Sequence, residues 1–261
     1  MPMDAPRIGV ENLAMAFGEK VVQKDVSFTV ANGSVFAIIG GSGCGKSTLL
    51  KHMVGLGAPS AGHILYGDQD LNALGDKDRN RLLRRFGVLF QASALWSSMT
   101  VADNIALPLE LYSSCSPQAI ADIVVFKLSL VGLEGCGALM PSELSGGMRK
   151  RAGLARALAL DPEILFLDEP SAGLDPVSSR NLDELIVQLR ECLGATIVIV
   201  THELASIFTI VDDCVFLDSV AGGVIAHGNP GQLRDHSENA IVRAFLNRGE
   251  FDGTNLRASP S

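Results

Sequence analysis

Gly40, Gly41, Ser42, Gly43, Cys44, Gly45, Lys46 and Ser47 follow the pattern G-x-x-x-x-G-K-S/T, and they hold the most definite chemistry in the chain. Glycines in such a stretch let backbone N–H groups turn inward around phosphate oxygens, which a Cβ would hinder. The apolar run Val35-Phe36-Ala37-Ile38-Ile39 just before it reads as a buried strand, and Thr48 to Val54 can open a helix. A helix N-terminus adds positive potential where phosphates would sit. Lys46 can reach β- and γ-phosphates, and the Ser47 hydroxyl can ligate Mg²⁺. Cys44 lies beside Lys46 at the same helix entrance, an electropositive setting that predicts a lowered thiol pKa and a reactive thiol.

A second constellation is Ile164-Leu165-Phe166-Leu167-Asp168-Glu169-Pro170, a strand-like run ending in two carboxylates. Beside a phosphate loop, Asp168 can hold Mg²⁺ through water and Glu169 can act as the base that orients an attacking water. A third is Leu144-Ser145-Gly146-Gly147-Met148, ahead of an Arg- and Ala-rich helical segment. Ser145 is a good N-cap, and physics alone reads this stretch as ordinary capping.

The elements that must position these groups alternate along the chain. Val26 to Val30 and Val35 to Ile39 flank Asn32-Gly33, which predicts a β-hairpin. His63 to Tyr66 with Gly67-Asp68 predicts another strand and turn. Helical spacing runs over Thr100 to Leu111, Pro117 to Leu130, Gly146 to Leu160 and Val177 to Leu193, and strand-like runs return at Ile164 to Leu167 and Ala195 to Val200. Strands and helices alternating after a phosphate loop imply an α/β fold with a parallel sheet covered on both faces, interrupted by a helical insertion over about residues 92–160. Ala94, Leu95, Trp96 and Met99 put an apolar patch on a surface segment. A short helix between Ser237 and Gly249 carries an apolar stripe of Ile241, Val242, Phe245 and Leu246. That stripe either folds back on the core or docks on a second subunit. Residues 251–261 read as a flexible tail.

Composition narrows the function classes. The chain has 261 residues, 47% of them hydrophobic, and a formal net charge of −8. That balance excludes a bulk electrostatic grip on nucleic acid, and the basic stretch from Lys77 to Arg85 reads as a solvated helix face. No apolar run approaches the ~20 residues needed to span a bilayer. Met1-Pro2-Met3-Asp4 lacks the basic and apolar regions of a signal peptide, so a cytoplasmic chain is expected. Five cysteines without C-x-x-C spacing read as reduced thiols.

Taken in order, Gly40 to Ser47, Gln91, Leu144 to Met148, Leu167 to Pro170, Asp175 and Thr201-His202 resemble the motifs of the ATP-binding-cassette (ABC) ATPases over nearly the whole chain. The resemblance implies a P-loop NTPase fold: a RecA-like core with an N-terminal antiparallel β portion and an inserted helical subdomain, together filling residues 1–250. It also implies ATP and Mg²⁺ as ligands and a head-to-tail homodimer that clamps two nucleotides. By that resemblance Phe17 stacks on adenine. Lys46, Ser47 and Thr48 bind phosphate and Mg²⁺. Gln91 links Mg²⁺ and the attacking water to the helical subdomain. Ser145, Gly146 and Gly147 contact the γ-phosphate from the other subunit. Asp175 couples the two sites, and His202 contacts the γ-phosphate and positions Glu169. Where the commonest signature ends in Gln, this one ends in Met148, which keeps the backbone donors.

Met140 to Met148 followed by Arg149-Lys150-Arg151-Ala152 is similar, more narrowly, to the ATPases of Mla-type phospholipid transport among the MCE-linked transporters. So are Leu89-Phe90-Gln91-x-x-Ala94-Leu95 and the run from Asp168 to Pro176. This implies a peripheral subunit at the cytoplasmic face of the inner membrane, with separate integral-membrane permease subunits, an MCE-domain protein, a small accessory regulatory subunit and a lipid cargo. An ATPase serving an importer of another small solute, and a non-transport ABC ATPase, remain the alternatives.

Overall fold

Every residue of the strand before the phosphate loop is buried, as a strand covered on both faces requires. In the computed structural model, which describes residues 6–17 and 20–247, this strand lies inside a six-stranded sheet. The chain runs β1 (Pro6–Phe17), β2 (Lys20–Ala31), β3 (Val35–Gly40), α1 (Lys46–Met53), β4 (Ala61–Tyr66), β5 (Gln69–Asp70), α2 (Asp76–Leu83) and β6 (Phe86–Leu89). Then follow α3 (Val101–Tyr112), α4 (Pro117–Leu130), α5 (Gly146–Ala157), β7 (Ile164–Asp168), α6 (Pro176–Leu193) and β8 (Thr196–Val200). It closes with α7 (Leu204–Ile210), β9 (Asp213–Asp218), β10 (Gly223–Gly228), α8 (Pro230–His236) and α9 (Ala240–Leu246).

The large sheet has the order β10-β9-β3-β8-β7-β6, parallel from β9 to β6, with β10 antiparallel at one edge. A second, antiparallel sheet has the order β2-β1-β4-β5. Side chains alternate across the large sheet, as the strand period of two dictates. Phe36, Ile38, Phe166, Val198 and Val215 face α1 and the antiparallel sheet. Ala37, Ile39, Leu165, Leu167 and Ile199 face α5, α6 and α9. Helices α3, α4 and α5 lie between β6 and β7 in the chain, and their apolar faces join that second core.

The hairpin expected at Asn32-Gly33 does not form. β2 pairs with β1, whereas β3 pairs with β8 and β9 in the other sheet. Gly33 turns at φ 68°, and its N–H donates to Thr196 Oγ1 at 2.9 Å, so the turn passes the chain from one sheet to the other. The turn chemistry was local and correct; the partner of β3 was decided by its two buried faces. The C-terminal helix is also capped differently. Asn239 caps α9, its side chain accepting from the Ile241 N–H, while Ser237 ends α8. Gly249 and the 251–261 tail lie outside the described residues. Val242, Phe245 and Leu246 are buried, with Phe245 edge-on to Phe216 at 5.0 Å, and Ile241 is exposed. The stripe therefore folds back on the core.

Candidate active site

In open α/β sheets the loops at the C-terminal ends of adjacent parallel strands converge on one crevice. Here β3, β8 and β7 are neighbours. The first leads into Gly40–Ser47, the second into Thr201-His202, and the third ends at Asp168 and Glu169. The crevice is a cleft of about 890 Å³ whose lining includes Gly40 to Gly43, Gly45 to Thr48, Gln91, Glu169 and His202.

The phosphate loop is shaped by glycine. A Cβ on Gly40, at φ +145°, would stand 2.3 Å from the Leu217 carbonyl oxygen. Gly45, in the left-handed region at φ 99°, caps α1 without any side-chain bond, so the first amides of α1 stay uncommitted. Lys46 Nζ donates to the Gly40 and Gly41 carbonyls at 3.0 and 2.8 Å. Ser47 Oγ donates to Asp168 Oδ1 at 3.1 Å, joining the two strand ends.

Glu169 sits at φ 48°, a left-handed conformation uncommon for a residue with a side chain. Its N–H donates to the Val200 carbonyl at 2.8 Å, which ties it to β8. Its Oε1 accepts from His202 Nδ1 at 2.9 Å, while Oε2 is buried with no hydrogen-bond partner among the described residues. A buried carboxylate oxygen left unpaired is costly, and Glu169 lines the cleft. Ser47 Oγ, Asp168 and the Gln91 side chain offer hard oxygen ligands of the kind that suit Mg²⁺. This donor set fits a metal bound together with phosphate.

Some expected residues lie apart from this cluster. Ser145 caps α5, its hydroxyl accepting from Met148 N–H at 3.2 Å, and Ser145 and Gly146 are exposed away from the cleft. Asp175 caps α6: its carboxylate accepts from Val177 N–H, Ser178 N–H and Ser178 Oγ. These bonds, the Ser178 hydroxyl first, hold its pKa below the usual carboxylate value. Phe17 closes β1, but its side chain lies outside the described residues. Trp96, on the segment after Gln91, is 59% exposed.

Cys44 contradicts the expected reactive thiol. It is only 2% exposed, and burial pushes its pKa up against the opposing pull of Lys46. Desolvation outweighs the neighbouring charge. Two contributors had no visible signal in the sequence. Gln23 of β2, fully buried, donates through Nε2 to the carbonyls of Cys44 and Asp218 and so braces the phosphate loop from the other sheet. Lys150 of α5, also buried, donates to the carbonyls of Gln91 and Glu169. Both act on backbone atoms far away in sequence, and although Lys150 stands in the string after the signature, nothing in that string gives it this role.

The ABC transporter family profile matches residues 23–172. The chain belongs to the ABC transporter family. This ABC ATPase is 39% identical over 251 residues to the intermembrane phospholipid transport system ATP-binding protein MlaF of Haemophilus influenzae, spanning 96% of this chain and 94% of that one. It is 42% identical over 240 residues to the probable ribonucleotide transport ATP-binding protein mkl of Mycobacterium tuberculosis (strain H37Rv), spanning 92% of this chain and 66% of that longer one. Among solved structures it resembles the dimeric ATP-binding cassette MJ0796 in a post-hydrolysis state bound to ADP and Pi, with TM-score 0.76 and 28% identity over 84% of this chain and 97% of that one. It also resembles cbiO1 from Clostridium perfringens, part of the ABC transporter complex cbiONQ, with TM-score 0.80 and 29% identity over 95% of this chain and 97% of that one. The P-loop NTPase fold and the ATP-binding, ATP-hydrolysing role of an ABC transporter subunit follow. Among the described residues no helix is long and apolar enough to cross a membrane.

Proposed function

We propose that this ATPase works as a homodimer at the cytoplasmic face of the inner membrane and drives phospholipid transport between membranes. Separate permease subunits, an MCE-domain protein and a small accessory subunit complete the complex. Likeness to MlaF over almost the full length of both chains supports the lipid cargo. The exposed Trp96 supports a permease contact on the segment after Gln91.

The paired Glu169 and His202 carry the proposed chemistry. Lys46 and the loop amides bind the β- and γ-phosphates. Ser47, Asp168 and Gln91 hold Mg²⁺, which supplies charge neutralisation at the phosphate oxygens. Glu169 orients a water and accepts its proton as the oxygen attacks the γ-phosphorus. The bond to the β–γ bridging oxygen breaks, leaving ADP and phosphate. His202 holds Glu169 through Nδ1 and would contact the γ-phosphate of a bound nucleotide. Ser145, Gly146 and Gly147 of the partner chain close over the nucleotide, Asp175 lies at the dimer contact and Phe17 stacks on adenine.

Glu169→Gln tests the base. Turnover should fall by ~10²–10⁴ while ATP still binds, so ATP should trap a dimer visible by size-exclusion chromatography. Near-normal phosphate release would refute the assignment. The relatives named for ribonucleotide transport favour a second reading, a nucleotide-type solute as cargo. Membrane complexes isolated through a tag on this chain separate the two. Co-purified phospholipid by mass spectrometry supports the first; ATPase stimulation by nucleotides other than ATP, with no bound lipid, supports the second.

A further inference from the structure

Helix α5 begins at the glycines of the signature, yet its buried face grips the rest of this chain's own site. Lys150 is 6% exposed. Its ammonium donates to the carbonyl of Glu169 at 3.0 Å and to that of Gln91. Three and six residues on, along the same face, α5 continues the grip. Gly153 allows a close approach, since a Cβ there would meet Leu89 Cδ1 at 2.8 Å and the Ser93 backbone oxygen at 3.1 Å. Arg156 donates to the carbonyls of Ser93 and Ala94. Ser93 and Ala94 both hold left-handed backbone, at φ 61° and 49°. The segment that presents Gln91 is thus clamped to α5 in a strained shape.

Stability alone does not account for the Lys150 cation. Burying an ammonium against neutral carbonyls is costly, and a neutral donor would satisfy the same two carbonyls without burying a charge. The two carbonyls it reaches belong to the residue proposed as the base and to the residue proposed to hold the metal.

We infer that Lys150 is a positioning residue that locks the backbones of Gln91 and Glu169 to the signature helix, so that closure of the signature on a nucleotide sets the geometry of the chain's own catalytic carboxylate. The inference rests on the proposed role of Glu169. It predicts a loss in the chemical step and not in nucleotide affinity.

The test uses the full chain, with steady-state phosphate release, binding of a fluorescent ATP analogue with Mg²⁺, and thermal melting. Lys150→Met keeps the unbranched stem, one atom shorter, and removes every donor. Its kcat should fall about 10- to 100-fold, the cost of a small misplacement of reacting groups, with KM for ATP within about twofold and the protein still fully folded at the assay temperature. Lys150→Arg, which restores donors and charge, should recover most of the rate. Wild-type kcat in Lys150→Met overturns the inference. So does a loss that merely follows falling ATP affinity and melting temperature, or a stably folded Lys150→Arg as slow as the Met variant. Glu169→Gln run alongside separates the two layers. If it keeps turning over, the base assignment fails and this inference falls with it; if it is inactive and Lys150→Met is not, only the role of Lys150 fails.

Discussion

Two helix entrances in this molecule are rich in glycine, and they use it for opposite ends. At the start of α1 two of the glycines serve packing, while a Cβ on Gly41 or Gly43 would meet nothing within 4 Å among the described residues. Gly40 is pressed against the Leu217 carbonyl and Gly45 against Val22 and Gln23. The loop closes on itself, with Lys46 held by its own carbonyls and Gln23 bracing it from below. At the start of α5 a Cβ on Gly146 would meet nothing within 4 Å, and one on Gly147 only ordinary contacts. There Ser145 supplies a conventional side-chain cap. The first entrance needs glycine at positions 40 and 45 because the chain itself comes close. The second has no such neighbour of its own, so its glycines make sense as room left for a surface supplied from outside, in keeping with the proposed dimer.

The same substitution at each entrance should therefore give different results. Gly40→Ala places a Cβ where a backbone oxygen already lies, in a conformation that L side chains rarely adopt. We expect loss of Mg-ATP binding and a melting temperature lower by roughly 5 °C or more, from an overpacking cost of a few kcal/mol. A Gly40→Ala protein that binds ATP normally would break the comparison.

Gly146→Ala should leave melting unchanged or slightly raised, since Ala is the better helix former by up to ~1 kcal/mol. ATP-dependent dimerisation of the Glu169→Gln background should nevertheless weaken by about tenfold, the equivalent of ~1.4 kcal/mol. Analytical ultracentrifugation with ATP reads this directly. Undiminished dimerisation would mean that the open entrance is not a contact.

The smallest effect concerns Cys44. Its thiol is buried and pushed up in pKa, so a maleimide at neutral pH should modify exposed Cys115 and Cys192 while leaving Cys44 and ATPase activity intact. Peptide mass spectrometry after timed labelling checks this. Inactivation that keeps pace with Cys44 modification would show that the first entrance opens far more readily than its packing implies.

What could be read from the sequence was whatever sits in one short stretch. Gly40 to Thr48 and Asp168-Glu169 carry their chemistry in consecutive residues, so residue type and order were enough. Helices α3, α4 and α6 were legible for the same reason, through helical spacing over Thr100 to Leu111, Pro117 to Leu130 and Val177 to Leu193. Asn32-Gly33 shows the limit. A turn signal is local, but whether the next strand pairs back or joins another sheet depends on which surfaces bury both of its faces.

The amino-acid order by itself determined the phosphate loop and the acidic strand end, each a local pattern with its own physical rationale, and, through the order of these motifs and the signature, the family they share. Tertiary structure alone decided that β3, β8 and β7 lie side by side, so that Lys46, Glu169 and His202 meet at one cleft. It also decided that Cys44 is shielded and not activated, because burial depends on every neighbour while a nearby lysine is visible two residues away. Gln23 and Lys150 belong wholly to that second category. They act through hydrogen bonds to backbone carbonyls, which every residue possesses, so no pattern of side chains gave them these roles before the chain was folded.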